Sequence, residues 1–222
     1  MENRTIRSRV RIPAVLLLAA VTALTPQGSG KVAAAGQRST SSPAYFFWDP
    51  VTVAGSSTLV RTEHGISFTY MANALPPGQA VTVWVVVFNN PEACATHPCT
   101  FADMGDGNPA AQSDFLYGGG HVIGGSGLGN FGGHLRVGEI SRSGLAEVGG
   151  PAVGLLNPMT AEIQLALHSH GPAVPGQVLK AQLSSFLGGC QTFLGPDGIA
   201  AGPGDMPVAV GECSTFQGSI HQ

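Results

Sequence analysis

The amino-acid sequence predicts an all-β fold, an antiparallel β-sandwich carrying one short helix. Three observations lead there. Short segments alternate apolar and polar residues with period two. The 32 glycines and 16 prolines punctuate the chain between those segments. Only one stretch shows a helical period.

Taken in chain order, Tyr45-Phe46-Phe47-Trp48 opens the folded part. Ile66, Phe68 and Tyr70 then alternate with Ser67, Thr69 and Met71, which predicts a strand with one face inward. Leu75-Pro76-Pro77-Gly78 reads as a turn. From Ala80 to Phe88 both phases are largely apolar: Val81, Val83, Val85 and Val87 on one, Thr82, Trp84, Val86 and Phe88 on the other. That pattern predicts a central strand buried on both faces.

Ala93 to Ser113 reads as a loop, solvated and acidic through Asp103 and Asp106, with Asp114 just beyond it. These acids do not follow the spacing of a calcium-binding EF-hand. Gly118 to Gly133 is glycine-dense and contains Gly127-Leu128-Gly129-Asn130-Phe131-Gly132. A dinucleotide fingerprint would open a helix. Here Phe131, Leu135 and Val137 alternate with His134 and Arg136, so the stretch predicts a bulged hairpin.

Ala161 to His170 is a strand with Ile163, Leu165 and Leu167 inward. Gln177 to Leu187 is the one helix, and the chain ends in a strand that puts Phe216 and Ile220 on a common face.

The N-terminus predicts export. Arg4, Arg7, Arg9 and Arg11 precede an uncharged apolar run from Ile12 to Leu24. A membrane-spanning helix needs about 20 apolar residues, so a cleavable signal peptide fits better than an uncut anchor. Ala33-Ala34-Ala35 supplies small residues for cleavage, with Val21-Thr22-Ala23 as an earlier option. The expected organisation is therefore a signal peptide over 1–35, a flexible lead-in over 36–44 and a single β-rich domain over 45–222. No membrane span remains after cleavage.

Five of the ten basic residues and one of the thirteen acids lie in the first 35 positions. The remainder carries five bases against twelve acids, a net charge of −7. Nucleic acid is excluded as a partner, because its binding rests on clustered Lys and Arg. Anionic membrane surfaces are disfavoured for the same reason.

Four cysteines in an exported chain read as two disulfides, for which three connectivities exist. The simplest pairs the near neighbours, Cys94 with Cys99 and Cys190 with Cys213. A rival metal site from Cys94, His97 and Cys99 lacks a fourth ligand at standard spacing.

Histidine supplies the candidate chemistry. Residues two apart on a strand share a face, so His168 and His170 project together from the polar phase. His134 and His221 occupy the polar phase of their own strands. If those strands were neighbours, three or four imidazoles would converge on Cu or Zn. The plainer alternative is that His168 and His170 hydrogen-bond a turn or face water at a strand end. The sequence contains no Gly-x-Ser-x-Gly elbow, His-Glu-x-x-His helix or Cys-x-x-Cys pair.

The residues His168-Ser169-His170-Gly171-Pro172-Ala173, followed by Pro175-Gly176, resemble the His-x-His-Gly-Pro-Ala signature of the CHRD (chordin-type) domain. That resemblance spans about a dozen residues and implies an extracellular β-rich module without an established enzymatic activity. The Leu-Pro-Pro-Gly turn, the run Val81 to Pro91 and the ending Phe216 to His221 are similar to uncharacterised exported bacterial proteins. Copper–zinc superoxide dismutase also carries His-x-His on a β-sandwich, but its other ligands have no counterparts that can be laid onto this chain. The implied architecture is immunoglobulin-like or CHRD/superoxide-dismutase-like. The expected function is a secreted, non-enzymatic binding or structural module acting on an extracellular or cell-envelope ligand, without a cofactor. A Cu- or Zn-binding protein or metal-dependent oxidoreductase is the alternative.

Overall fold

A computed structural model of the chain describes residues 36–194 and 211–222. The expected signal peptide lies outside the described residues. The fold is all-β and antiparallel, as the sequence predicts. Its strands are β1 (Arg38–Phe46), β2 (Asp49–Thr62), β3 (Gly65–Ala72), β4 (Gln79–Phe88), β5 (Ser113–Val122), β6 (Gly129–Arg136), β7 (Glu162–Pro172), β8 (Cys190–Leu194) and β9 (Gly211–His221). Two short helices, α1 (Gly144–Glu147) and α2 (Gln177–Gln182), accompany them. Among the described residues no helix is long and apolar enough to cross a membrane.

The strands form one sheet in the order β5-β4-β7-β9-β1-β2-β3-β6, and β8 runs parallel beside β9. The sheet rolls on itself until its end strands meet. A Cβ placed on Gly133 of β6 would stand 2.5 Å from the carbonyl oxygen of Gly118 on β5. The two packed layers are thus halves of one rolled sheet.

The inner face holds the main core. Val81, Val83, Val85 and Val87 of β4 meet Ile163, Leu165 and Leu167 of β7, with Leu59, Ile66, Phe68 and Tyr70 from the opposite half. Full burial of each such aliphatic side chain is worth about 1.5–3 kcal/mol. The other phase of β4 is buried too: Trp84 packs with Phe115, Leu145 and Phe186, and Phe88 with Cys94, Cys99 and Ala111. The two-faced character of β4 is as its sequence predicts, because loops and α2 cover the outer face.

Five expectations are corrected. The lead-in over 36–44 contains most of β1, which pairs with β2 along its whole length, from Arg38↔Arg61 to Phe46↔Asp49. Its hydroxyl-rich sequence hides a strand whose inner phase reaches Ala44, fully buried in the core. The glycine-rich stretch is not a hairpin ladder: β5 pairs with β4 and β6 with β3.

The helix ends at Gln182, before Ser184-Ser185 and Gly188-Gly189, residues of low helix propensity. In β9 a bulge between the Leu167↔Gln217 and His168↔Thr215 pairs reverses the alternation. Phe216 therefore joins the core while Ile220 is exposed, and Gln217, Ser219 and His221 are buried. A one-residue slip moves every later side chain to the other face.

Asp103 and Asp114 are buried organisers of the chain and not solvated acids. The Asp103 carboxylate accepts hydrogen bonds from the Ala95 and Thr100 amides, the Thr100 hydroxyl and the Asn108 side-chain amide. The two backbone amides lead in holding its pKa down at about 2. Asp114 accepts from the Phe115, Val153 and Gly154 amides and the Ser143 hydroxyl.

Candidate functional site on the outer face of β4, β7 and β9

The outer phase of β7 presents Gln164, Ala166, His168 and His170, and that of β4 presents Thr82 and Trp84. The segment after α2 crosses this face and is pinned at several points. Glu147 accepts hydrogen bonds from the Phe186 and Leu187 amides and the Ser185 hydroxyl. The Tyr117 hydroxyl donates to the Leu183 carbonyl. The buried Gln182 side chain donates to the His170 and Pro172 carbonyls and accepts from the Val174 amide.

Both histidines are consequently fully buried, neither facing water as a strand-end residue can. The two rings meet edge to face, with centroids 4.6 Å apart, and the Phe186 ring lies 4.5 Å from His168. His170 Nε2 is 2.9 Å from the Thr82 hydroxyl and its Nδ1 is 2.8 Å from the Gly188 carbonyl oxygen. Thr82 also accepts the indole N–H of Trp84 at 2.8 Å. His168 Nδ1 is 3.0 Å from the Thr215 hydroxyl.

Burial holds both rings neutral. It lowers His170 to about 4, against a smaller upward effect of the Gly188 carbonyl. It lowers His168 further, with the neighbouring His170 adding to the effect.

Both disulfides join the near neighbours, Cys94 to Cys99 and Cys190 to Cys213. The Cys94–His97–Cys99 metal reading is thereby set aside, since both its sulfurs are bonded to each other. The second bridge lies against the histidines: His170 Nδ1 is 3.8 Å from Cys190 Sγ and 3.9 Å from Cys213 Sγ.

The structure brings His168 and His170 together but joins neither His134 nor His221 to them. His134 is exposed on β6, bonded to Ser67 at 3.0 Å. His221 stands opposite Ile163, about 17 Å along β7 from His168 at ~3.3 Å per residue. Its ring points to the interior, with Nδ1 2.9 Å from the Thr40 hydroxyl and Nε2 2.8 Å from the Ser57 hydroxyl. The four-histidine centre is not assembled because β6, which carries His134, does not neighbour β7, and because His221, although on the neighbouring β9, lies far along the strand and turns inward. Ser57 and His221 have the spacing of a nucleophile and its base, but both are buried and the third member is a hydroxyl, so the network serves the interior.

Beside the histidines, a cavity of about 290 Å³ opens over the outer face. Trp84, Phe115 and Phe186 wall it with edge-to-face and tilted ring contacts, centroids 4.5 to 5.6 Å apart. Phe47 and Phe101, 42% and 55% exposed, stand at its mouth. Gln164, Thr100 and Thr215 supply polar lining, and among the described residues no charged side chain lines it. A second cavity of about 260 Å³ adjoins it and shares Phe47, Gln164, Ala166 and Ile220.

Sequence reasoning missed this cavity, although Trp84 and Phe88 on the outer phase of β4 were its visible signal. No family model, curated protein or solved structure matches this chain.

Proposed function

We propose that this chain is an exported, non-enzymatic binding module that takes a neutral, ring-bearing apolar molecule in the outer-face cavity. The observation that carries the reading is an aromatic-walled cavity that, among the described residues, has no charged side chain. Its volume is near the lower end of small-molecule sites, about 300–1,000 Å³, which favours a compact ligand. Neutrality follows from the lining and from the net charge of −7 carried by residues 36–222, which repels anions. Edge-to-face packing on Trp84 and Phe186 favours a ring over a flexible chain. Export is supported by the basic, apolar and small-residue succession at the N-terminus and by two disulfides.

The test uses the oxidised chain carrying Trp48→Phe, which leaves Trp84 as the sole tryptophan. Titration with neutral N-phenyl-1-naphthylamine is expected to quench Trp84 and saturate, whereas the anionic anilinonaphthalene sulfonate binds more weakly. Ala166→Phe fills the cavity from its floor and abolishes binding while leaving the melting temperature near that of the parent. Absence of saturable binding, or binding that survives Ala166→Phe, would overturn the reading.

A further inference from the structure

We propose that the Cys190–Cys213 disulfide masks a buried zinc site, and that reduction of the bridge lets both sulfurs join His168 and His170 in binding one Zn²⁺.

The four residues offer ligand atoms that all lie within 4.8 Å of one another, and all four are buried. Zn–S bonds of about 2.3 Å and Zn–N bonds of about 2.0 Å place tetrahedral donors roughly 3.3–3.8 Å apart. His170 Nδ1 is already at nearly equal distances, 3.8 and 3.9 Å, from the two sulfurs. It is therefore nearly equidistant from the two ends of the bridge, within reach of an ion shared with them. Assembly requires two rearrangements: the sulfurs separate from bonding distance to donor spacing, and the Gly188 carbonyl oxygen, 2.8 Å from Nδ1, moves off that nitrogen.

Charge favours zinc. Two thiolates and one Zn²⁺ sum to zero beside two neutral imidazoles, which a water-excluded site requires. Cu⁺ in the same four ligands would leave one uncompensated negative charge. A tetrahedral S₂N₂ donor set is also the arrangement zinc prefers.

The surroundings supply the outer hydrogen bonds that orient metal-bound histidines. In the oxidised protein the His170 proton sits on Nδ1, donated to Gly188, while Nε2 accepts from Thr82. Metal binding at Nδ1 moves the proton to Nε2, which donates to Thr82. The Thr82 hydroxyl then turns to the His168 carbonyl, 3.5 Å away. Thr215 steadies His168 in the same way.

The exchange balances with a dithiol as reductant. The dithiol gives two electrons and two protons to the bridge, breaking its S–S bond and yielding two thiols as the dithiol becomes a disulfide. Zn²⁺ then displaces the two thiol protons to solvent. Bridge and metal are mutually exclusive, so the same four residues form either a covalent staple or a metal staple between β8 and β9.

The experiment uses the full chain with Cys94→Ser and Cys99→Ser, so that no other thiol competes. After chelator treatment it is incubated with Zn²⁺, with and without a phosphine reductant, and metal is counted by mass spectrometry. The expected result is one zinc per reduced chain and none per oxidised chain. Co²⁺ in place of zinc is expected to show thiolate charge-transfer absorption and tetrahedral d–d bands.

His170→Gln is expected to weaken zinc binding at least ~100-fold, and Thr82→Val about 10–100-fold. If the reduced chain unfolds, Zn²⁺ restores its near-ultraviolet circular dichroism at one equivalent. No stoichiometric zinc in the reduced chain, with or without refolding, overturns the proposal. So does equal uptake by the oxidised chain or by His170→Gln. Probe binding in the oxidised chain is a separate measurement, so failure of either reading leaves the other standing.

Discussion

The ring of Phe47 lies directly over Gly218. A Cβ added at Gly218 would stand 2.9 Å from Phe47 Cζ and 3.2 Å from the Leu165 carbonyl oxygen. Because Phe47 lines both outer-face cavities, this contact fixes the partition between them. Gly218→Val is expected to displace Phe47, to cost about 1–3 kcal/mol through overpacking, and to change probe affinity. Urea unfolding and the probe titration check the two effects. A variant with parental stability and parental affinity would contradict the assigned role of this contact.

Arg61 is buried, and among the described residues it has no carboxylate partner. Its guanidinium donates to the carbonyl oxygens of Pro158, Ala161 and His221, at 2.8, 2.7 and 3.0 Å. Burial, with a smaller contribution from Arg38, lowers its pKa to about 10, so it remains charged at neutral pH. Arg61→Leu removes donors from three carbonyls and is expected to destabilise the fold by on the order of 3–5 kcal/mol. Arg61→Lys should recover part of that loss in the same denaturation measurement.

His221 makes stability fall in acid. Burial, followed by the nearby Arg61 charge, lowers its pKa to about 4. In the unfolded chain it titrates near ~6.5. Between those values the unfolded state binds the extra proton, so stability rises with pH. The contribution is fully present above pH ~6.5 and is lost as pH falls toward 4. Melting temperatures across that window should decline for the parent and decline less steeply for His221→Gln. An unchanged slope would show that His221 is not the titrating group.

The two disulfides should differ in worth. Cys190–Cys213 closes a separation of 23 residues and Cys94–Cys99 one of 5. Loop-closure entropy gives about 3 kcal/mol for the longer loop and about 2 kcal/mol for the shorter. Replacing Cys190 and Cys213 by Ser in metal-free buffer should lower stability more than replacing Cys94 and Cys99. The reverse order would show that native-state contacts, and not chain entropy, dominate.

Much of the fold was legible in local periodicity. Both faces of β4, the inner phase of β7 and the inner phase of β3 follow from alternation alone, because a strand's geometry assigns faces by parity. Parity failed at β9, where a bulge that depends on pairing with β7 turned Gln217, Ser219 and His221 inward. β1 was missed because its stability comes from its ladder with β2 and not from apolar patterning.

By itself the sequence determined the faces of β3, β4 and β7, left near-neighbour pairing as the simplest of three disulfide connectivities, and placed His168 and His170 on a shared side. Only the tertiary structure decided what lies across them. The segment after α2 buries both rings, and Cys190 and Cys213 arrive beside His170 from positions 20 and 43 residues away. His134 and His221, equally polar in phase, end up elsewhere. Alternation fixes the face on which a side chain projects, but the neighbour it meets there depends on strand order and on the crossing segment. Those are set by long-range packing that no local spacing encodes.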